Sequence, residues 1–158
     1  MNSPEIPLQQ PHSEFAHRRW PATPEQLKPI RADVRRWLGP LQLTVDAQHD
    51  LLLAVSEAAS NAIEHAHPTT SSHAVVELTF WTDNHAVWIE IVDHGEWKAP
   101  STNRGSRGRG IPMMQRLVES VMIHYDTRGT RVLLRHPLPG AARELSSDCR
   151  RPVRLQDC

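Results

Sequence analysis

The sequence has few of the features that mark secreted, membrane-bound or nucleic-acid-binding proteins. Only two of its residues are cysteine, Cys149 and Cys158 near the C-terminus, so we expect no disulfide framework and a reducing cytoplasmic location. No apolar run is long enough to cross a membrane, and the N-terminal residues lack the apolar core of a signal peptide. Lysine plus arginine and aspartate plus glutamate number 18 each. That balance gives no reason to expect nucleic acid or an anionic membrane as a partner.

The length of the chain and its distribution of apolar residues indicate one folded domain between two tails. A chain of 158 residues is long enough to bury a single core. Residues 1–13 are polar, contain proline and show no hydrophobic period, which predicts a disordered tail. Residues 138–158 are predicted to form a second, flexible tail, so the expected domain spans residues 14–137.

Between the tails, the spacing of apolar residues predicts the order β-α-α-β-β-loop-α-β-β. We expect Thr23 to cap the first helix, with Pro24 at its first position, and Pro68 to stop the second helix. A tight turn at Asp83 and Asn84 is expected to join two strands. The predicted segments are an extended piece at 15–20, helices at 24–38, 46–67 and 111–120, and strands at 73–82, 85–93, 121–125 and 130–135. This order predicts an α/β (α+β) two-layer sandwich, with a mixed, largely antiparallel sheet and helices on one face.

Glu57 and Asn61 are four residues apart in the second predicted helix, so their side chains share one face of it, opposite the apolar stripe. For an isolated pair, the ordinary interpretation is a solvated polar face. The functional interpretation is that the Asn61 amide oxygen binds Mg²⁺, while the Glu57 carboxylate orients or deprotonates a nucleophile. The functional interpretation of the pair depends on the motifs that follow it in the sequence.

Asp93 ends a strand in which Val87, Ile89 and Ile91 point to the same side. The alternation continues to Asp93 and predicts a carboxylate that faces the apolar interior, where an unpaired charge is costly. Such a group needs a donor, and the exocyclic amine of adenine would be a suitable one. The alternative is that the strand ends at Val92 and that Asp93 only opens a turn.

A loop rich in glycine and arginine precedes the third predicted helix. Backbone N–H groups at a helix start suit a phosphate, and glycine lets the backbone come close to a ligand. By itself the pattern is a weak signal, because flexible linkers have the same composition. The loop lacks the GK[ST] of a P-loop, and it does not follow a strand in the manner of a dinucleotide fold. The residues concerned are Gly95, Gly105, Gly108, Gly110, Arg104, Arg107 and Arg109.

Gly129 and Thr130 precede the last predicted strand. Thr130 shares strand parity with Val132 and Leu134, so its hydroxyl is expected to face inward. A Gly-Thr pair at this position is usually only a turn, so it carries no functional weight by itself.

Taken together, these motifs resemble the boxes of the GHKL ATPases, which include sensor histidine kinases, Hsp90, type II topoisomerases and mismatch-repair proteins. The segments LLLAVSEAASNAIEHAH, IVDHGEW and RGRGIPMMQRLVESV are most similar to the anti-sigma-factor serine/threonine kinases. The resemblance covers about residues 14–137 and implies the GHKL (Bergerat) ATP-binding fold. It departs from the family's DxGxG pattern at Trp97, which puts the geometry of the lid loop in doubt.

The resemblance implies that ATP and Mg²⁺ bind between the helix at 46–67 and the glycine-rich loop. Asn61 would then hold Mg²⁺, Glu57 would act as base or orient the attacking hydroxyl, and Asp93 would bind the adenine amine. The other residues expected to bind the nucleotide are Gly95 beside the base, Thr130 on the adenine side, Gly108 and Gly110 near the phosphates, and Ile111.

Two functions fit the resemblance. The first is a switch kinase that sequesters a sigma factor and phosphorylates a serine or threonine of an antagonist (anti-anti-sigma) protein. The second is a binding module in which ATP orders the lid loop without phosphoryl transfer, or a detached regulatory domain of a phosphatase-kinase switch protein. The presence of both Glu57 and Asn61 favours the kinase. The resemblance also implies a homodimer, with a surface drawn from residues 15–20 and the neighbouring helix.

Overall fold

The computed structural model describes residues 15–65, 74–95 and 110–140, in which three helices lie against a five-stranded sheet. The strands are β1 (Ala16–Pro21), β2 (Val75–Thr82), β3 (Ala86–Asp93), β4 (Ser120–Asp126) and β5 (Gly129–Pro137). The helices are α1 (Leu27–Leu38), α2 (Val45–His65) and α3 (Gly110–Leu117). The predicted two-layer α+β sandwich is therefore confirmed. The predicted tail at 1–13, and the second tail apart from residues 138–140, lie outside the described residues.

The sheet has the order β1-β2-β3-β5-β4, and all four pairings between the described strands are antiparallel. The expectation of a mixed sheet was wrong for this part of the chain. The chain leaves β3 and returns through α3 to β4, a route that would make β4 a parallel neighbour of β3. However, β5 lies between those two strands and pairs antiparallel with each of them, so no parallel pair forms.

One hydrophobic core fills the space between the helices and one face of the sheet. Trp37 of α1 packs on Phe80 of β2, with ring centroids 5.3 Å apart. Burial of a large apolar side chain contributes about 1.5–3 kcal/mol to the free energy of unfolding, so the packing of these layers holds the sheet and helices in register. The first two helices, which the spacing of apolar residues predicted, are confirmed as α1 and α2, and each buries one face in this core. Their buried residues include Ile30, Val34, Trp37, Leu38, Leu52, Val55, Ala59, Ala62 and Ile63.

Several boundaries differ from the prediction for local reasons. Residues Pro24–Gln26 form a 3₁₀ turn before α1. Thr23 is the N-cap residue of that turn and Pro24 its first residue, as predicted, but the Thr23 side chain makes no capping hydrogen bond. The turn between β2 and β3 has three residues rather than two. There the Asp83 carboxylate accepts hydrogen bonds from the backbone N–H groups of His85 and Ala86, both at 2.7 Å. The position predicted for Pro68 as a helix stop lies outside the described residues.

The other face of the sheet carries no described helix and is covered by long polar and aromatic side chains. Trp81 and Trp88 stack with their ring centroids 6.0 Å apart, and Arg135 lies over the Trp88 ring at 5.4 Å. Arg131 and Glu90 form an ion pair at 2.7 Å. Within residues 15–65, 74–95 and 110–140, no helix is both long enough and apolar enough to span a membrane.

Candidate functional site

Asp93 is the last residue of β3, and its side chain faces the helix layer, with 4% of the residue exposed. The alternative in which the strand ends at Val92 is therefore wrong. The backbone N–H groups of Gly95 and Thr130 donate to Asp93 Oδ1 at 3.1 and 3.4 Å. Neither of these bonds uses Oδ2. The strand alternation thus brings a carboxylate to the edge of the core, with backbone donors on one oxygen.

Different parts of the environment of Asp93 shift the pKa of its carboxyl in opposite directions. Burial is the largest effect and raises the pKa of the Asp93 carboxyl, because removal from water penalises the charged form. Hydrogen bonds from Gly95 and Thr130 and the charge of His65 oppose this effect. A perturbed carboxylate at the end of a strand is a frequent mark of a binding site.

Gly129 brings β5 close to the backbone of Asp93. Its φ of +136° lies in the region that favours glycine. A Cβ atom at this position would overlap the Asp93 carbonyl oxygen and would stand 2.8 Å from the Cα of His94. Asp93 and the half-buried Thr130 are direct partners in the β3–β5 register. Sequence reasoning treated Gly129 only as part of a turn, because the strand that it approaches is distant in the chain.

Glu57 and Asn61 of α2 and Gly110 of α3 form a second group. Asn61 Nδ2 donates to Glu57 Oε1 at 3.4 Å across one turn of α2, and both side chains are partly buried. A Cβ atom on Gly110 would overlap Glu57 Oε1 and stand 3.1 Å from Asn61 Nδ2. The first residue of α3 therefore lies directly against the Glu57–Asn61 pair, and the absence of its side chain makes room for them.

His65 is a further residue near Asp93 that sequence reasoning missed. It lies one turn after Asn61 on α2, and its charge acts on the Asp93 carboxyl. Its spacing of i, i+4 from Asn61 was the available signal. The side of α2 that carries Glu57 and Asn61 therefore extends toward the end of β3.

The remaining predicted residues fall into three cases. Gly95 is buried beside Asp93 and belongs to the first group. Ile111 follows Gly110 at the start of α3 and is 48% exposed. Gly108 lies outside the described residues, as do Trp97 and the other glycines and arginines of the loop.

These two groups have the chemistry that a nucleotide with Mg²⁺ requires. The Asp93 carboxylate can accept a hydrogen bond from an exocyclic amine, and the first N–H groups of α3 have no partner within the helix. The Oδ1 atom of Asn61 is not used in its bond to Glu57, and amide oxygens are ligands for Mg²⁺.

Comparison with known proteins gives a consistent result. A sequence model of the family described as "Histidine kinase-like ATPase domain" matches residues 20–136. The serine-protein kinase RsbW of Staphylococcus epidermidis is 23% identical over 138 residues, which cover 78% of this chain and 87% of the relative. The RsbW of Bacillus licheniformis is 27% identical over 84 residues, covering 53% of this chain and 52% of that protein.

Two solved structures are similar in fold. The structure of the RsbU and RsbW domains of Rv1364c from Mycobacterium tuberculosis superposes with a TM-score of 0.62 and 28% identity. That match covers 80% of this chain but only 33% of the other. The histidine kinase domain of Erythrobacter litoralis EL346 has a TM-score of 0.54 and 19% identity, covering 74% and 61% of the two chains.

Proposed function

Since the chain belongs to the family of histidine kinase-like ATPase domains, we propose that it is an anti-sigma-factor-type protein kinase. It binds ATP with Mg²⁺, phosphorylates a serine or threonine of an antagonist protein and sequesters a sigma factor in the cytoplasm. The observation that carries the proposal is the contact of Gly110, at the start of α3, with the Glu57–Asn61 pair. Similarity to proteins named serine-protein kinase supports the same reaction class.

Binding of the nucleotide uses both groups of residues. Asp93 accepts the adenine amine, and Gly95 and Thr130 keep its carboxylate in place through Oδ1. Gly110 and the first turn of α3 provide backbone donors for the phosphates. Asn61 would hold Mg²⁺, which supplies neutralisation of phosphate charge when it is bound. Glu57 lies one helix turn from Asn61, so its carboxylate is not used to bind the adenine of the nucleotide.

Glu57 performs the proton chemistry of the transfer. Its carboxylate accepts the proton of the serine or threonine hydroxyl as the oxygen forms a bond to the γ-phosphorus. The bond from that phosphorus to the bridging oxygen breaks, so the products are a phosphorylated protein and ADP, with the proton released to solvent. Asn61 Nδ2, at 3.4 Å from Oε1, orients the carboxylate for this step.

The test separates transfer from binding by a conservative change. Glu57→Gln keeps the size and the acceptor atom for Asn61 but removes the base, so single-turnover phosphorylation of a candidate antagonist should fall about a hundred- to ten-thousand-fold. The dissociation constant for ATP with Mg²⁺, from calorimetry, should stay within about threefold, since other residues hold the nucleotide. Asn61→Ala should weaken both. Glu64→Gln, an exposed carboxylate two turns further along α2, is the matched control and should change neither.

A binding module without transfer is the second candidate. It is favoured by the Asp93 group, whose carboxylate, backbone donors and close glycine do not depend on Glu57. If the wild-type chain binds ATP and an antagonist but does not phosphorylate that antagonist, the result would support the binding module and contradict the kinase function. In that case Glu57→Gln would leave partner release unchanged.

We also propose a homodimer through residues 15–20 and the adjoining flank of α1. Phe15 is 70% exposed beside the edge strand β1, and an exposed aromatic next to an open strand edge suits a protein contact. Sedimentation velocity at micromolar concentration should give a dimer, and Phe15→Ser should shift it toward the monomer. A wild-type monomer with and without ATP would contradict this.

A further inference from the structure

One carboxylate lies behind the proposed adenine-binding end, on the sheet face that carries no described helix. Glu77 lies between the buried Val76 and Leu78 of β2, so its side chain points away from the core. Its Oε1 atom lies 3.2 Å from Nε2 of His94, the residue that follows β3. Because a carboxylate only accepts hydrogen bonds, the histidine ring is the donor. A side chain of the neighbouring strand therefore holds the chain just beyond the end of β3.

His94 lies between the two residues that the proposed function places at the adenine. Asp93 faces the helix layer, and the buried Gly95 donates its backbone N–H to Asp93 Oδ1 at 3.1 Å. The strand pairings of β3 end at Asp93, which pairs with Val76 on one side and Thr130 on the other. The residues after Asp93 are therefore not fixed by the ladder, and their position depends on contacts such as that of the His94 ring.

Glu77 is itself held from the edge strand β1. Arg19 Nε lies 3.2 Å from Glu77 Oε1, and His17 Nε2 lies 3.5 Å from Oε2. The other ring nitrogen of His17 lies 3.1 Å from Thr79 Oγ1. An isolated exposed ion pair contributes little to stability, whereas a network of charged groups can hold a geometry. Because both of its oxygens have partners, the Glu77 carboxylate is restricted in rotation and presents Oε1 to His94.

Glu90 is a carboxylate on the same face that differs in one respect. It is on β3 and pairs with Arg131 of β5 at 2.7 Å. Both ends of that pair lie within the β3–β5 ladder, so backbone hydrogen bonds fix them without it. One end of the contact between Glu77 and His94 lies beyond the ladder. Loss of this contact should therefore change the position of the chain, which loss of the Glu90 pair should not.

We propose that Glu77 is a positioning residue for adenine, which acts through His94 on the segment from Asp93 to Gly95. It holds the His94 ring on one face of the sheet. On the other face, this keeps the Asp93 carboxylate and the Gly95 N–H in the arrangement that accepts the adenine amine. This inference rests on the proposed binding of ATP but not on phosphoryl transfer, so it applies to the kinase and to the binding module alike.

The test compares ATP with purine riboside triphosphate, which lacks the exocyclic amine of adenine. Calorimetry with Mg²⁺ gives both dissociation constants, and the wild type should bind ATP more tightly. Glu77→Ala should weaken ATP binding about two- to fivefold, as expected for the loss of one partly exposed polar contact. Binding of the analogue should change by less than about twofold, because it does not use the Asp93 carboxylate. The preference for ATP should therefore fall.

A double-mutant cycle tests whether the effect passes through His94. His94→Ala should weaken ATP binding by the same factor as Glu77→Ala, and the double variant should weaken it no further, because each change removes the same contact. Glu90→Ala is the matched control, since it removes an ion pair of the same face, and it should leave the preference for ATP unchanged. Urea denaturation should show a cooperative transition for every variant, which establishes that each one is folded.

The outcomes separate this inference from the proposed function. Equal losses of affinity for ATP and the analogue in Glu77→Ala, or no loss for either, would overturn the positioning role and leave ATP binding in place. Losses that multiply in the double variant would overturn the path through His94. A wild type that binds neither nucleotide would overturn the proposed function and this inference with it. A wild type that binds ATP but phosphorylates no antagonist would leave the inference intact.

Discussion

The two halves of the candidate site are built differently. Around Asp93, backbone N–H groups fix the carboxylate and a glycine with positive φ allows two strands to touch. Around Glu57, one side-chain hydrogen bond at 3.4 Å and a glycine at a helix start define the geometry. The first half is rigid because Asp93, Gly129 and Thr130 belong to paired strands of the sheet. The second depends on side chains that can turn, which would suit the proposed role of Glu57 as the base between a nucleotide and a protein substrate.

This difference has a thermodynamic consequence. A buried carboxylate lowers the free energy of unfolding unless a ligand or hydrogen bonds compensate for its lost hydration. Asp93 should therefore lower the stability of the free chain and, in its proposed role, increase the affinity for ATP. Glu57 is only partly buried, so its replacement should change the reaction and leave folding nearly unaffected.

The largest test of the rigid half is Gly129→Ala. The added Cβ would overlap the Asp93 carbonyl at a φ of +136°, and we expect the free energy of unfolding to fall by about 3 kcal/mol or more. Urea denaturation measures this. Gly140→Ala is the control, because Gly140 has a φ of +99° but nothing within 4 Å of the added atom, and it should lose only about 1 kcal/mol. Equal losses would mean that the strand contact is not essential.

Asp93→Asn should separate affinity from stability. Loss of the charged acceptor should weaken ATP binding by about ten- to a hundredfold, while the free energy of unfolding stays the same or rises because the buried charge is gone. Calorimetric titration and urea denaturation give the two numbers. Glu90→Gln, on the other face of the same strand and paired with Arg131, should leave affinity unchanged. A parallel fall in affinity and stability for Asp93→Asn would indicate a purely structural carboxylate.

The difference in stability between the wild type and Asp93→Asn should depend on pH, because the pKa of Asp93 is raised. In the folded chain the carboxyl keeps its proton above the ordinary value of 3.8, so its contribution to stability is complete below that pH and is lost as pH rises through the folded pKa. The stability of wild type relative to Asp93→Asn should therefore fall over that window. ATP affinity should increase as the pH rises, because the charged carboxylate is the hydrogen-bond acceptor for the adenine amine.

The smallest effect on stability is expected for Gly110→Ala in the flexible half. The added methyl meets the end of the Glu57 side chain, which can rotate away, so the free energy of unfolding should change by at most about 1 kcal/mol. Displacement of Glu57 should nevertheless slow single-turnover transfer about tenfold or more. Gly39→Ala, with nothing within 4 Å, is the control and should change neither. An unchanged transfer rate in Gly110→Ala would show that the position of Glu57 is not critical.

Much of this architecture was predictable where the signal is local. The alternation of β3 predicted that Asp93 faces inward, and the four-residue spacing in α2 predicted that Glu57 and Asn61 share a face. Both follow from the side-chain periods of strands and helices, which are properties of consecutive residues. The three-residue turn at Asp83 and the 3₁₀ turn before α1 were not predicted, because a choice between closely related turns depends on small differences in backbone energy.

The sequence by itself determined which faces of the strands and helices are buried and which residues carry the candidate chemistry. Only the tertiary structure decided which of these residues meet. The pairing of Asp93 with Thr130, the contact of Gly129 with the backbone at Asp93 and His94, and the contact of Gly110 with Glu57 join segments that are far apart in the chain. The anchoring of Arg31 by Ser56 is of the same kind. Such contacts depend on the order of strands in the sheet and on the packing of helices against it. Hydrophobic periodicity within one segment carries no information about either.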